Sequence, residues 1–132
     1  MKFKLCIIIL FISNFILAQD TLDVLNASLT GKWNWDRTNV VSELGGGVDN
    51  SSRCHCTRHL LFKTNSVVEL YENNKLKYSS DYSLREVYFL NDPVMIMFDS
   101  EFLRGQLILK NNTLGIGDFG LCGIECYYSK AE

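Results

Sequence analysis

From Cys56 to Lys130 the chain alternates apolar and polar residues in short stretches cut by turn signals, and this period of two constrains the fold more than any other feature. Successive side chains of a strand point to opposite faces, so a two-residue period marks strands with one buried face. Cys56 to Lys63 places Leu60 and Phe62 on one face, and Thr64-Asn65 turns into Ser66 to Glu72, where Val68 and Leu70 flank Glu69. Asparagine tolerates a positive φ, which makes Asn73-Asn74 a hairpin turn. Leu76 to Leu84 sets Leu76, Tyr78, Tyr82 and Leu84 on one side and Lys77 and Asp81 on the other; Glu86 to Leu90 extends it or forms a strand of its own. Val94 to Asp99, Arg104 to Lys110, Thr113 to Gly117 and Gly123 to Lys130 complete the run.

Ahead of this run stands Gly31-Lys32-Trp33-Asn34-Trp35, in a first strand read from Gly31 to Thr38. Two tryptophans two residues apart enter one core, and the glycine lets the chain turn in without a Cβ. Leu22, Leu25 and Leu29 lie at helical spacing just before it. Many short strands with hardly any helix leave a sandwich or a closed antiparallel barrel. In up-and-down order, the second and eighth strands begin at the same end, bringing Cys54/Cys56 and Cys122/Cys126 to flank the first strand. The reading is therefore all-β: an eight-stranded antiparallel up-and-down barrel with a short N-terminal helix, or nine strands if Glu86 to Leu90 stands alone.

Residues 1–19 read as a targeting segment. Lys2 and Lys4 precede a thirteen-residue, mostly apolar stretch from Leu5 to Leu17, short of the ~20 residues that span a bilayer. Cleavage after Ala18 or Gln19 would leave one domain, residues 20–132, soluble and secreted or periplasmic, with no membrane span. The 132 residues less the first 19 leave 113, enough for one modest core. Thirteen Lys plus Arg stand against fifteen Asp plus Glu; losing Lys2 and Lys4 leaves eleven against fifteen, a net charge of −4. A mildly acidic surface without a basic run argues against nucleic acid as a partner.

Beyond the targeting segment the cysteines are Cys54, Cys56, Cys122 and Cys126. An even number in an exported domain reads as disulfides. Of the three possible pairings, a Cys54–Cys56 bridge would be strained across one residue, so the expectation joins the first two to the last two. Each such bridge closes a loop of roughly 70 residues and contributes ~4 kcal/mol in the chain-entropy model. The competing reading is a metal site from Cys54-His55-Cys56, His59 and Cys122/Cys126. It requires free thiolates, which an exported protein keeps poorly. No cofactor is expected.

The helical lead-in with Gly31-Lys32-Trp33, Leu60-Leu61-Phe62, Tyr82-Ser83-Leu84, Thr113-Leu114 and the closing Cys126-Tyr127-Tyr128 together resemble a bacterial lipocalin-like domain across nearly all of residues 20–132. The resemblance implies an eight-stranded barrel with a small helix before the first strand. It also implies that Trp33 closes the base under a basic residue of the last strand, where this chain has Lys130 and an arginine is usual. Lipocalins mostly bind small apolar molecules.

An eight-stranded barrel is filled by side chains or holds one small ligand. Leu60, Phe62, Val68, Leu70, Tyr82, Ile96, Phe98, Leu107, Leu109, Leu114, Ile116 and Tyr128 are the expected interior set. A cavity, if formed, belongs near the mouth, with Trp35, Tyr82, Phe62 and Tyr128 as ligand-binding residues and the Gly-rich stretch Asn39 to Arg53 as a lid. The first functional reading is an exported binder of a small apolar or amphipathic molecule. The alternative is a disulfide-stapled protein-binding module or inhibitor with a filled core, presenting Asn50-Ser51-Ser52-Arg53. His55 and His59 have no carboxylate or serine at a spacing that builds a catalytic set, so no enzyme is expected. Met95 and Met97, opposite Val94, Ile96 and Phe98, read as a packing surface for the lead-in helix.

Overall fold

The computed structural model describes residues 21–90, 92–120 and 122–132; the targeting segment read over residues 1–19 lies outside them. Residues 21–29 form helix α1. Nine strands follow: β1 (Gly31–Val41), β2 (Gly47–Asn50), β3 (Arg58–Phe62), β4 (Val67–Glu72), β5 (Lys75–Phe89), β6 (Asp92–Ser100), β7 (Arg104–Lys110), β8 (Thr113–Gly117) and β9 (Gly123–Lys130). A one-turn helix, α2 (Ser51–Cys54), separates β2 from β3. Strands β3 to β9 pair in chain order and β1 closes the circuit between β9 and β3, which makes an eight-stranded antiparallel barrel. The fold is the expected one. The ninth strand is β2, whereas Glu86 to Leu90 belongs mostly to β5.

One edge of β1 is shared by two strands. Gly31 to Asn34 pairs with β3, and Arg37 to Val40 pairs with β2. Between these ladders β1 spends two residues, Trp35 and Asp36, while the partner chain spends eight, 51–58. The surplus cannot lie flat against β1 and is looped out as α2. Asn50 caps that turn, its side-chain oxygen accepting from the amides of Ser52 and Arg53 at 3.1 Å each. His55 then takes a left-handed conformation, φ 51° and ψ 38°.

That reversal curls Cys56 back onto Cys54, and the two form a disulfide with their Cα atoms 5.2 Å apart. This corrects the expected pairing: Cys122 and Cys126 are free, the first exposed and the second half-buried. The left-handed backbone at His55 lets one intervening residue suffice for the bridge. The expected pairing would also have to cross β1, which lies between β9 and the β2–α2–β3 run. Two strand spacings amount to about 10 Å, beyond the roughly 7 Å that a disulfide spans.

The interior is built from the faces that the alternation marks. Leu60, Phe62, Val68, Phe98, Leu114 and Ile116 are fully buried with Trp33, while Leu70, Ile96 and Leu109 pack partly buried against them. From α1, Leu29 is fully buried and Leu25 packs partly. Gly31, at φ +119°, turns the chain from helix into barrel. Trp33 then seals the base: its Nε1 donates to the Leu29 carbonyl at 2.7 Å. Lys130 stacks its ammonium 4.7 Å from the indole centroid, and so fills the place where the resemblance expects an arginine. Met95 and Met97, expected against α1, line a hollow on the outside with Phe119 and Cys122. The ladder between β6 and β7 is the shortest of the circuit, with three pairs, Met97–Gln106, Phe98–Gly105 and Asp99–Arg104.

Candidate functional site

The inward stripe of each strand is apolar in the lower barrel and becomes polar toward the rim, because the last inward positions no longer have a partner across the axis. On β3 the stripe runs Phe62, Leu60, Arg58; on β4 it runs Val68, Leu70, Glu72. Between these rim residues and the packed core lies a cavity of about 410 Å³. Its deep wall is Leu60, Leu70 and Leu103, with Trp35 and Tyr128 facing it from β1 and β9. Trp35 and Tyr128 are cross-strand partners, so their neighbouring positions follow from the register. Tyr78 and Phe102 form the outer wall, ring centroids 5.6 Å apart and nearly parallel.

Polar groups in this wall are partnered. The Trp35 Nε1 donates to Thr38 Oγ1 at 2.9 Å, and that hydroxyl lies 3.6 Å from Cys126 Sγ. Burial pushes the Tyr128 phenol well above its ordinary pKa, with Cys126 adding to the effect. Across the mouth, Arg58 lays its guanidinium 4.6 Å above the Trp35 ring. Its Nε donates to Glu72 at 2.8 Å, and Lys77 lies 3.6 Å from the other carboxylate oxygen. The hydrogen bond and charge of Arg58, with Lys77 behind them, hold the Glu72 carboxyl below its ordinary pKa. Such a wall can enclose an apolar body and offer charge to whatever group reaches the rim.

Of the four residues expected at the mouth, the structure brings Trp35 and Tyr128 together and sends the other two elsewhere. Phe62 and Tyr82 sit in an aromatic cluster with Phe98, each pair of rings 5.3 to 5.9 Å apart. Tyr82 reaches α1, donating from its hydroxyl to Asn26 at 3.1 Å. Both are on the inward face, as read, but at the closed end. The Gly-rich stretch is no lid either: residues 39–41 and 47–50 extend the sheet, and the lining of the cavity includes none of residues 42–46. Arg58, Glu72 and Lys77 escaped the sequence reading. The signal for the first two was a charge at the inward register immediately after an apolar stripe. Lys77 carried none, because a bulge between Leu70 and Tyr71 shifts its register.

Two larger hollows, of about 530 and 560 Å³, lie between α1 and residues 63–66 and along β5 and β6. Both are lined largely by exposed side chains, whereas the smaller cavity is walled by the buried Trp35, Leu60 and Tyr128, which makes it the candidate site. His59, on the outer face, stacks on Tyr71 at 4.8 Å, and burial followed by the charge of Lys32 lowers its pKa. Among the described residues no cluster of three or more His, Cys, Asp or Glu is placed to hold a metal. Among them, too, no helix is long and apolar enough to cross a membrane. Comparison with protein-family models, with curated proteins and with solved structures returns no match for this chain.

Proposed function

We propose that this barrel is an exported, non-enzymatic binding protein, lipocalin-like in its manner of use, that holds a small apolar or amphipathic molecule at its open end. The observation that carries the reading is the cavity of about 410 Å³ walled by Trp35, Leu60, Leu70 and Tyr128. Sites for small ligands are concave, mostly apolar and fitted with a few polar groups, in volumes of roughly 300–1,000 Å³. The targeting segment read from residues 1–19 and the Cys54–Cys56 disulfide both suit export to an oxidising compartment.

The test is titration with N-phenyl-1-naphthylamine, a neutral dye that fluoresces in apolar surroundings. Saturable one-to-one binding is expected, with quenching of tryptophan emission that Trp35→Phe removes and Trp33 cannot replace. Absence of saturable binding to the folded protein would overturn the reading. A protein-binding module is the second reading, and exposed apolar side chains favour it. Val40 and its register partner Ile124, with Val48 and Leu44, are exposed around the β1–β2 turn.

A further inference from the structure

The chain as a whole carries a net charge of −2, yet the cavity opening gathers two cations, Arg58 and Lys77, against one carboxylate, Glu72. An uncommitted cation between low-dielectric walls concentrates anions. The two cations differ in how far they are committed. Arg58 lies over Trp35, donates to Glu72 at 2.8 Å and has a second nitrogen 3.9 Å from Asp49. Its guanidinium is therefore part of the wall. Lys77 is 3.6 Å from Glu72 and its side chain is 48% exposed. That separation is longer than a direct hydrogen bond, and an ammonium has three donors. With one donor turned toward Glu72, the others are open to a ligand at the mouth.

Next to Lys77 the wall is aromatic. Tyr78 follows it in the chain and stacks on Phe102 with the ring planes 24° apart. Trp35 and Tyr128 carry the aromatic surface inward toward Leu60. A flat apolar body can lie along these rings while an anionic group at one end reaches Lys77. We infer that the cavity, on the binding reading given above, selects compact organic acids, with the ring system against Trp35 and the Tyr78–Phe102 pair and the anionic head on Lys77. Glu72 opposes such a ligand, since it competes for Lys77 and repels the head.

The experiment uses two dyes that share a body and differ in a head: 1-anilinonaphthalene-8-sulfonate and the neutral N-phenyl-1-naphthylamine. Both are titrated into the purified protein with its disulfide intact. The sulfonate is expected to bind about tenfold more tightly, the scale of one charge-assisted hydrogen bond. Lys77→Met, its fold checked against the parent by circular dichroism, should bring the affinity for the sulfonate down to that for the neutral dye. Glu72→Gln should tighten the sulfonate severalfold, and inorganic phosphate at millimolar concentration should not displace it, because it lacks the apolar body. Equal affinities for the two dyes, or an unchanged sulfonate affinity in Lys77→Met, would overturn the selectivity for acids while the cavity reading stands. Displacement by phosphate alone would overturn the role of the aromatic wall. Failure of both dyes to bind would remove the cavity reading and this one with it.

Discussion

Lys130 and Trp33 face each other as register partners on β9 and β1, and the lysine ammonium joins the indole face to the end of α1. Its Nζ donates to the carbonyls of Ser28 at 3.0 Å and Thr30 at 2.8 Å while lying over the ring. Three elements meet at one cation: the helix whose last carbonyls need donors, the first strand and the last strand. Lys130→Met keeps the stem and removes the charge. It should cost about 1–2 kcal/mol, the sum of a cation–π contact and a helix-end interaction. Urea denaturation would measure it, and a change below about 0.3 kcal/mol, within ordinary surface scatter, would contradict the arrangement.

The thiol inventory is a second test. Under native, non-reducing conditions the folded chain should contain one bridge, Cys54–Cys56, with Cys122 alkylated quickly and Cys126 slowly, in line with their exposure. Because the closed loop is so short, the bridge contributes only about 1.5 kcal/mol by the chain-entropy relation. Dithiothreitol should therefore shift the thermal midpoint by several degrees without unfolding the barrel. Peptide mapping that joins Cys54 or Cys56 to Cys122 or Cys126 would restore the pairing expected from sequence.

Acid should weaken the outer wall of β4 in a defined direction. The hydrogen bond from Lys63, followed by that from Tyr71, holds the Glu69 carboxyl below its ordinary value of 4.5. A carboxyl whose pKa is depressed in the folded state adds stability that is complete above its unfolded pKa and is lost as pH falls through the folded one. Glu72 has the same sign through Arg58. Stability measured by urea should decline below about pH 4.5, and less steeply in Glu69→Gln than in the parent. An identical pH profile for the two proteins would refute the assignment.

Gly117 sits at φ +153° at the end of β8, and a Cβ placed there would lie 2.0 Å from the Ile124 carbonyl oxygen. Backbone of the neighbouring strand cannot rotate away as a side chain would. Gly117→Ala is expected to destabilise by at least about 2 kcal/mol, through strain and forced strand separation. An alanine variant as stable as the parent would show that β8 and β9 are further apart than described.

The sequence carried the face of nearly every strand and much less of the height. Alternation identified Leu60, Phe62, Val68, Phe98, Leu114 and Ile116 as inward, because burial on one side of a sheet imposes a period of two. Through the resemblance it named Trp33 for the base with Lys130 in the usual arginine's position, and the two lie together there. Height along the axis is a different quantity. Strands in a barrel tilt and are staggered, so equal positions in consecutive strands do not lie at equal depth. Phe62 and Tyr82 were thus assigned to the mouth and lie at the base. The looped-out α2 turn was hidden for another reason: it arises from a mismatch in length between two ladders on β1, which no local pattern records. The Cys54–Cys56 bond follows from that turn and was hidden with it.

The brevity of the β6–β7 ladder has a mechanical consequence. A closed barrel has no natural end, but one held at a single place by the pairs Met97–Gln106, Phe98–Gly105 and Asp99–Arg104 behaves as a sheet fastened with a clasp. When such a sheet breathes, the ladder with the fewest pairs parts before the longer ladders do. Opening there parts β6 from β7 while the β9–β1 ladder holds, so the barrel becomes one open sheet in the order β7–β8–β9–β1–β3–β4–β5–β6, with its interior exposed sideways next to Phe102 and Leu103.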